Sequence, residues 1–285
     1  MKKQFKYILL LVLLVGFFGC KEEKLTDSII DTSTPYLSET DNWIRTNYTV
    51  PYNISVIYKW NDGETTFGKN LIPPKQELVA PLMNMIDSVW ISPYIQEAGA
   101  QFFKDLSPKQ FLLIGSPSYN SDGSRTQGTA EGGRKIVLYA VNWYNPKDSA
   151  QLWEEYVHVI FHEFGHIMHQ IKPYNPDYKK TIPGYTAAWT DFSDTEAREK
   201  GFITAYSLSG PDEDFVEILS IFLTTSPAYW NSTIGSIQNA TAKQAIIDKQ
   251  EIVVKYLKSA WGIDAESLRT RVNASFQKVL AKARQ

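Results

Sequence analysis

The chain has 285 residues, 43% of them hydrophobic and 21% charged, with a formal net charge of -2. That composition suits a globular protein of one large domain or two small ones, with enough apolar residues for a core without disulfide staples. The near-zero charge, with no extended basic run after the first residues, gives no reason to expect a nucleic-acid partner.

In chain order, Lys2, Lys3 and Lys6 form a basic start, and "YILLLVLLVGFF" follows as an apolar run of about a dozen residues, short for a membrane span. The run ends at "FFGC", whose Cys20 is the chain's single cysteine, so no intrachain disulfide can form. A lone cysteine at that point resembles a bacterial lipoprotein signal, which implies cleavage after residue 19 and lipidation of Cys20. Residues 20–40 begin "CKEEK" and are otherwise polar, which reads as a tether. Residues 41–285 are expected to form a single domain.

Within that domain "YNISVIYKW" (52–60) alternates and reads as a strand. Leu78, Leu82, Met85, Ile86, Val89 and Trp90 recur at helical spacing, which predicts one or two helices over 75–104. "KQFLLIGSP" (109–117) reads as a buried strand, "SYNSDGSRTQGTAEGG" (118–133) as a long glycine-bearing loop, and "RKIVLYAVNWY" (134–144) as a strong strand. After the break at "NPKDSA" a helix is predicted from about Ser149 to His169. Another begins in "SGPDEDFVEILSIFL" (209–223), and the last ~45 residues predict two amphipathic helices around "WGID". Strands early and helices late give an α+β fold rather than a doubly wound sheet.

The chemistry concentrates in "HEFGHIMHQ" (162–170). Residues four apart share a helix face, so His162 and His166 can offer two imidazole nitrogens to one metal at about 2 Å, with Glu163 beside them to take a proton from water. All four histidines of the chain fall between 158 and 169. A straight helix cannot bring a third successive turn to one tetrahedral ion, because the pitch displaces it by ~5 Å. His169 is therefore expected to support the site from behind or at the helix end, and His158 is not expected to ligate.

A hydrolytic zinc site needs a third protein ligand and an open position. In "PDEDFVEIL" (211–219) Glu213 and Glu217 are again four apart, so one can ligate zinc while the other accepts a hydrogen bond from a ligating imidazole. Asp212, Glu213 and Asp214 also suit a helix start for dipole reasons alone, and Asp214 and Ser220 read as ordinary helix residues. Glu196 and Glu199, in "DTEAREK", read as a solvated face.

H-E-x-x-H followed by E-x-x-x-E in an apolar helix resembles the gluzincins, and within them the anthrax lethal factor and Pro-Pro endopeptidase branch. There the ligating glutamate opens an "E-[aromatic]-x-A-E" helix with a catalytic tyrosine seven residues before it. Here Glu213 opens "EDFVE" and Tyr206, in "TAYSLSG", stands seven residues earlier; Asp214 and Val216 depart from the pattern. The match of "YNISVIY", "HEFGHIMHQ" and "AYSLSGPDEDFVEILS" is closer still to the substrate import-associated zinc metallohydrolase lipoproteins of Bacteroidota. The resemblance implies a zincin-like α+β domain with an edge strand above the histidine helix, for which 134–144 is the candidate. It also implies zinc on His162, His166 and Glu213, with Glu163 as general base. Tyr206 is implied as oxyanion donor, Glu217 as orienter of an imidazole, and a peptide or protein as substrate. Finally it implies a lipid-anchored place in the outer membrane beside a TonB-dependent importer and its lipoprotein partner. The competing expectation is a non-catalytic binding lipoprotein with a structural zinc; Glu163 separates the two, because a retired site needs no base.

Overall fold

The computed structural model describes residues 36–65, 68–121 and 123–285. The stretch read as a leader, and Cys20 with it, lies outside the described residues. Ser38–Gln285 form one compact unit. Its first helix starts at Glu39, two residues inside the stretch read as tether. Ser38 and Asp41 close a capping box that satisfies two backbone donors at that end.

Three strands run parallel and a fourth closes the sheet antiparallel. The strands β1 (Ser55–Ile57), β2 (Gln110–Leu113), β3 (Ser118–Tyr119), β4 (Arg125–Thr126), β5 (Gly128–Glu131) and β6 (Lys135–Leu138) follow in that order along the chain. The main sheet has the order β1-β2-β6-β5, with β1, β2 and β6 parallel and β5 antiparallel to β6. Alternation divides the sheet's side chains between two faces. Phe111, Leu113, Ile136 and Leu138 join the main core, while Leu112, Ile114, Val137 and Tyr139 form a smaller cluster on the other side.

The edge strand corrects the sequence reading. Residues 134–144 were expected to supply it, but β6 is interior, and the chain leaves it through Ala140 in the left-handed region (φ 57°) into a 3-10 turn, Val141–Trp143. The edge beside the histidine helix is β5, inside the stretch read as a loop, and β1 is the opposite edge. Its glycine and small polar residues hide the pattern, and Gly128 is needed because a Cβ there would come within 2.3 Å of Val159 Cγ1 on the histidine helix.

Around the sheet the helices are long and carry π-helical turns. Helix α1 runs continuously through Glu39–Ile44, Arg45–Thr49 and Val50–Tyr52; α2 through Gln76–Ile86, Asp87–Ile91 and Ser92–Ala98; α3 is Ala100–Leu106. The histidine helix α4 runs through Ser149–Leu152, Trp153–Val157 and His158–Ile171. Then come α5 (Asp194–Arg198), α6 (Pro211–Thr224), α7 (Pro227–Ser236), α8 (Ala240–Trp261) and α9 (Ala265–Ala283). The fold is α+β with a helical second half, as the order of patterns predicted. Gly262, at φ 74°, ends α8 in a left-handed cap and turns the chain into α9.

The histidine helix is held from behind by aromatics. Phe164 lies edge-on to Trp90 at 5.2 Å and to Tyr94 at 5.0 Å, and Phe161 sits 5.6 Å from Tyr94. Its other side meets α6 at Gly165, where an added Cβ would stand 2.9 Å from Val216 Cγ1. Only a glycine lets the two backbones come this close.

The α6 helix is tied to α8 by a pair hidden from solvent. Asp214 Oδ2 lies 2.6 Å from Lys249 Nζ with both side chains fully buried. Tyr185 donates to the same oxygen at 3.0 Å, and Lys249 donates to the Gly201 carbonyl at 2.9 Å. Burial raises the Asp214 pKa and lowers that of Lys249, each opposed by the other's charge. Asp214 is thus an anchor and not the ordinary helix residue of the sequence reading. Truncating one member of such a pair strands a buried charge. Lys249→Met is expected to lower unfolding free energy by about 3–5 kcal/mol in urea titrations. Adding Asp214→Asn should return part of that loss, and equal stability of Lys249→Met and parent would contradict the anchoring role.

Candidate metal centre

Helix α4 carries its histidines toward α6, and α6 answers with Glu213 and Glu217 one turn apart. His162 Nε2 and His166 Nε2 are 3.2 Å apart, and Glu213 Oε2 lies 3.1 Å from the first and 3.2 Å from the second. Three nitrogen and oxygen atoms thus form a nearly equilateral triangle. The edge of a tetrahedron around zinc, with bonds of about 2.0 Å, is about 3.3 Å.

The proton inventory explains why these atoms converge. Glu217 Oε1 lies 2.8 Å from His162 Nδ1, which donates to it, so His162 Nε2 presents a bare lone pair. His166 Nδ1 is 3.0 Å from His169 Nε2, a contact that likewise leaves His166 Nε2 bare when Nδ1 is the donor. Glu213 offers a carboxylate oxygen. Three acceptors facing one another repel unless a cation lies between them, so the donor set fits a metal ion.

Behind the triangle the partners are themselves fixed. Glu217 is almost fully buried; its Oε1 also meets His158 Nε2 at 2.9 Å, and its Oε2 accepts from Thr204 Oγ1 at 2.7 Å. His158 is in turn approached at Nδ1 by Ser220 Oγ at 3.4 Å. His158, His162 and Glu217 could also be grouped as three metal donors. Yet Glu217 already collects hydrogen bonds from both imidazoles and from Thr204, so those atoms are better described as a hydrogen-bond network. His169 is buried against Tyr174 and Phe215, and burial, followed by the nearby His166 charge, lowers its pKa to about 4. It stays neutral and able to accept from His166.

Glu163 sits beside the triangle, 7% exposed, and burial raises its pKa. The Ala130 backbone N–H of β5 hydrogen-bonds it. The register explains that contact. Tyr139 N–H donates to the Gln127 carbonyl at 3.5 Å, and alternation along an antiparallel pair then turns the backbone groups of Gly128 and Ala130 away from β6. The free edge of β5 therefore runs past the base. Tyr206, on a 3-10 turn before α6, reaches the same mouth; its ring is 5.8 Å from the His162 ring and 37% exposed. Burial and then the carboxylates of Glu213, Glu163 and Glu217 push its pKa up, so it keeps its proton as a donor.

Every residue singled out in "HEFGHIMHQ", together with Tyr206, Glu213 and Glu217, meets in this one place, while Glu196 and Glu199 serve as a capping residue and an acceptor for the Gln238 and Asn239 amides. Sequence reasoning missed Thr204, which holds Glu217, and gave His158, not expected to ligate, no role in holding that same carboxylate. The i, i+4, i+8 spacing of His158, His162 and His166 was the available signal for the second; nothing local marks Thr204.

A mixed sheet with an antiparallel edge strand, a helix bearing H-E-x-x-H and a facing glutamate helix together define a metallohydrolase-type site. Residues 33–266 match the model of a family described as "Putative zinc-binding metallo-peptidase", and the chain belongs to that family. A solved structure from Bacteroides caccae, described in the same words, is 34% identical with a TM-score of 0.73, over 86% of this chain and 95% of that one. No curated protein matches.

Without metal, a proton takes the cation's place. Burial alone would lower the His162 pKa, but hydrogen bonds to Glu213 and Glu217 outweigh it and push it up from 6.5 to about 10. A raised folded-state pKa gives stability that is complete below the unfolded value and is lost as the pH rises through the folded one. Chelator-treated protein should therefore show a falling thermal midpoint between pH 6.5 and about 10. Zinc-loaded protein should hold its midpoint over the same window, because the metal replaces the proton. Parallel curves with and without zinc in calorimetry would contradict this account.

Proposed function

We propose that this family member is a zinc-dependent peptidase, with His162, His166 and Glu213 as ligands. The observation that carries the reading is the triangle of bare donor atoms beside a buried carboxyl. A metal held only for structure would need no base at that position. Bound zinc supplies Lewis acidity, which makes water acidic near neutral pH and polarises a carbonyl. The remaining steps belong to the protein. Glu163, its basicity raised by burial, takes the proton of the attacking water and passes it to the departing amine. Tyr206 donates its hydroxyl proton in a hydrogen bond to the oxyanion that develops. Glu217, fixed by Thr204 and His158, holds His162 in the tautomer that leaves Nε2 free, and His169 does the same for His166. The outer edge of β5, which no strand among the described residues covers, turns the Gly128 amide and the Gly128 and Ala130 carbonyls outward while Glu163 holds the Ala130 N–H, which supports an extended peptide added as another strand.

Zinc-loaded parent is expected to cleave members of a random peptide mixture. Glu163→Gln should keep its zinc and lose about 10²–10⁴ in turnover. Glu213→Ala should lose zinc, and Tyr206→Phe should lower kcat while leaving KM nearly unchanged. Cleavage by Glu163→Gln at the parental rate, or none by zinc-loaded parent, would sink the proposal.

The leader supports a further part of the reading: Cys20 carries the lipid, and the enzyme works at the outer membrane, where its products feed a TonB-dependent importer and that importer's lipoprotein partner. Cys20→Ser is expected to move the chain from the membrane fraction to the soluble one; unchanged partition would remove the anchor.

A further inference from the structure

Beside the metal centre stands an aromatic corner of which the hydrolytic steps use only the Tyr206 hydroxyl. The Trp189 indole meets the Tyr206 ring edge to face, 5.0 Å between centroids at 73°, and Tyr206 in turn faces the His162 ring. Trp189 opens a short 3-10 turn, Trp189–Asp191, in the connection between α4 and α5. That connection is pinned at two adjacent residues ahead of the indole. Tyr185 donates to buried Asp214 at 3.0 Å, one residue from the ligating position of α6, and the Thr186 N–H donates to the Leu208 carbonyl at 2.8 Å. Below, the indole packs on the buried cluster of Ala197, Phe202, Ala205 and Leu208. It is nonetheless only half buried, and its neighbour Tyr206 is exposed.

Two large rings are therefore held together and partly open to solvent, the Tyr206 ring facing the His162 ligand and the indole packed on Tyr206. Pockets that take organic side chains pair apolar walls with a few polar groups in this way. An edge-to-face corner of fixed rings suits a third ring, or a branched aliphatic group, at little ordering cost.

We infer that Trp189 and Tyr206 form the subsite for the side chain next to the scissile bond, and that it takes a large apolar residue, aromatic by preference. The inference rests on the peptidase reading and adds its specificity. Trp189 touches substrate in this account; a residue that only props Tyr206 would affect all substrates alike. Burying one such side chain amounts to at least a tenfold gain in binding.

The test uses zinc-loaded protein and three hydroxamic acids that differ only in the side chain next to the chelating group: benzyl, isobutyl and methyl. Binding is read by calorimetry, with zinc content and thermal midpoint checked for each variant. In the parent, benzyl should bind at least tenfold more tightly than methyl. In Trp189→Ala that advantage should fall below threefold through loss of benzyl affinity, and Trp189→Phe should restore most of it. An unchanged benzyl preference in Trp189→Ala, or an equal loss for all three probes at full zinc content, would overturn the subsite and leave the indole a structural prop. Failure of every hydroxamate to bind the zinc-loaded parent would instead strike the hydrolase reading, and the subsite with it.

Discussion

The close approach of the histidine helix to the glutamate helix is the constraint on which the rest depends. Gly165 stands inside H-E-x-x-H, and its missing side chain lets Val216 Cγ1 sit 2.9 Å from where a Cβ would be. That approach brings Glu213 to His162 and His166, and Glu217 to the far nitrogen of His162. Gly in a helix interior costs about 1 kcal/mol relative to Ala. The gain is a short-range geometry that longer side chains at that crossing would have blocked. Aromatics behind α4 and the Asp214–Lys249 pair behind α6 hold the two helices at this separation from opposite sides.

Charge is distributed with the same economy. Glu213 and Glu217 are partly or fully buried, which by itself would raise their pKa values, yet histidine hydrogen bonds and charges hold both well below the ordinary carboxylate range. Glu163 has weaker partners and goes the other way, so two ionised acids and one readily protonated acid share a small volume. Environments that push neighbouring titratable groups apart are how acid and base roles are divided in hydrolases. Here the division follows position: the acids that face imidazole nitrogens are fixed as anions, and the one that faces the strand edge is free to exchange a proton.

The substrate side of the centre is built from parts far apart in sequence. The edge strand comes from 128–131, Tyr206 from the turn before α6, and Trp189 from the connection before α5. Each is pinned to the same two helices: β5 by the fit of Gly128 against Val159, Tyr206 beside His162, and the Trp189 loop through Tyr185 to Asp214. The rigid scaffold thus carries the donors, while short irregular segments line the groove.

The sequence by itself determined the histidine helix, its zinc-type spacing, the facing E-x-x-x-E helix and the α+β order, because these are local. Residues four apart on a helix share a face whatever surrounds them. It did not determine the edge of the sheet: β6 is the apolar, β-rich run because it is buried on both faces, whereas β5, of the same length, is glycine-bearing because a helix lies against it. Nor could spacing choose between Glu213 and Glu217, or recover Thr204, His158 and Trp189, or show that Asp214 turns inward to Lys249. Those assignments follow from the rotation of one helix against another and from contacts 13 to 59 residues apart, such as Thr204 and His158 with Glu217. Only the packed tertiary structure sets that rotation.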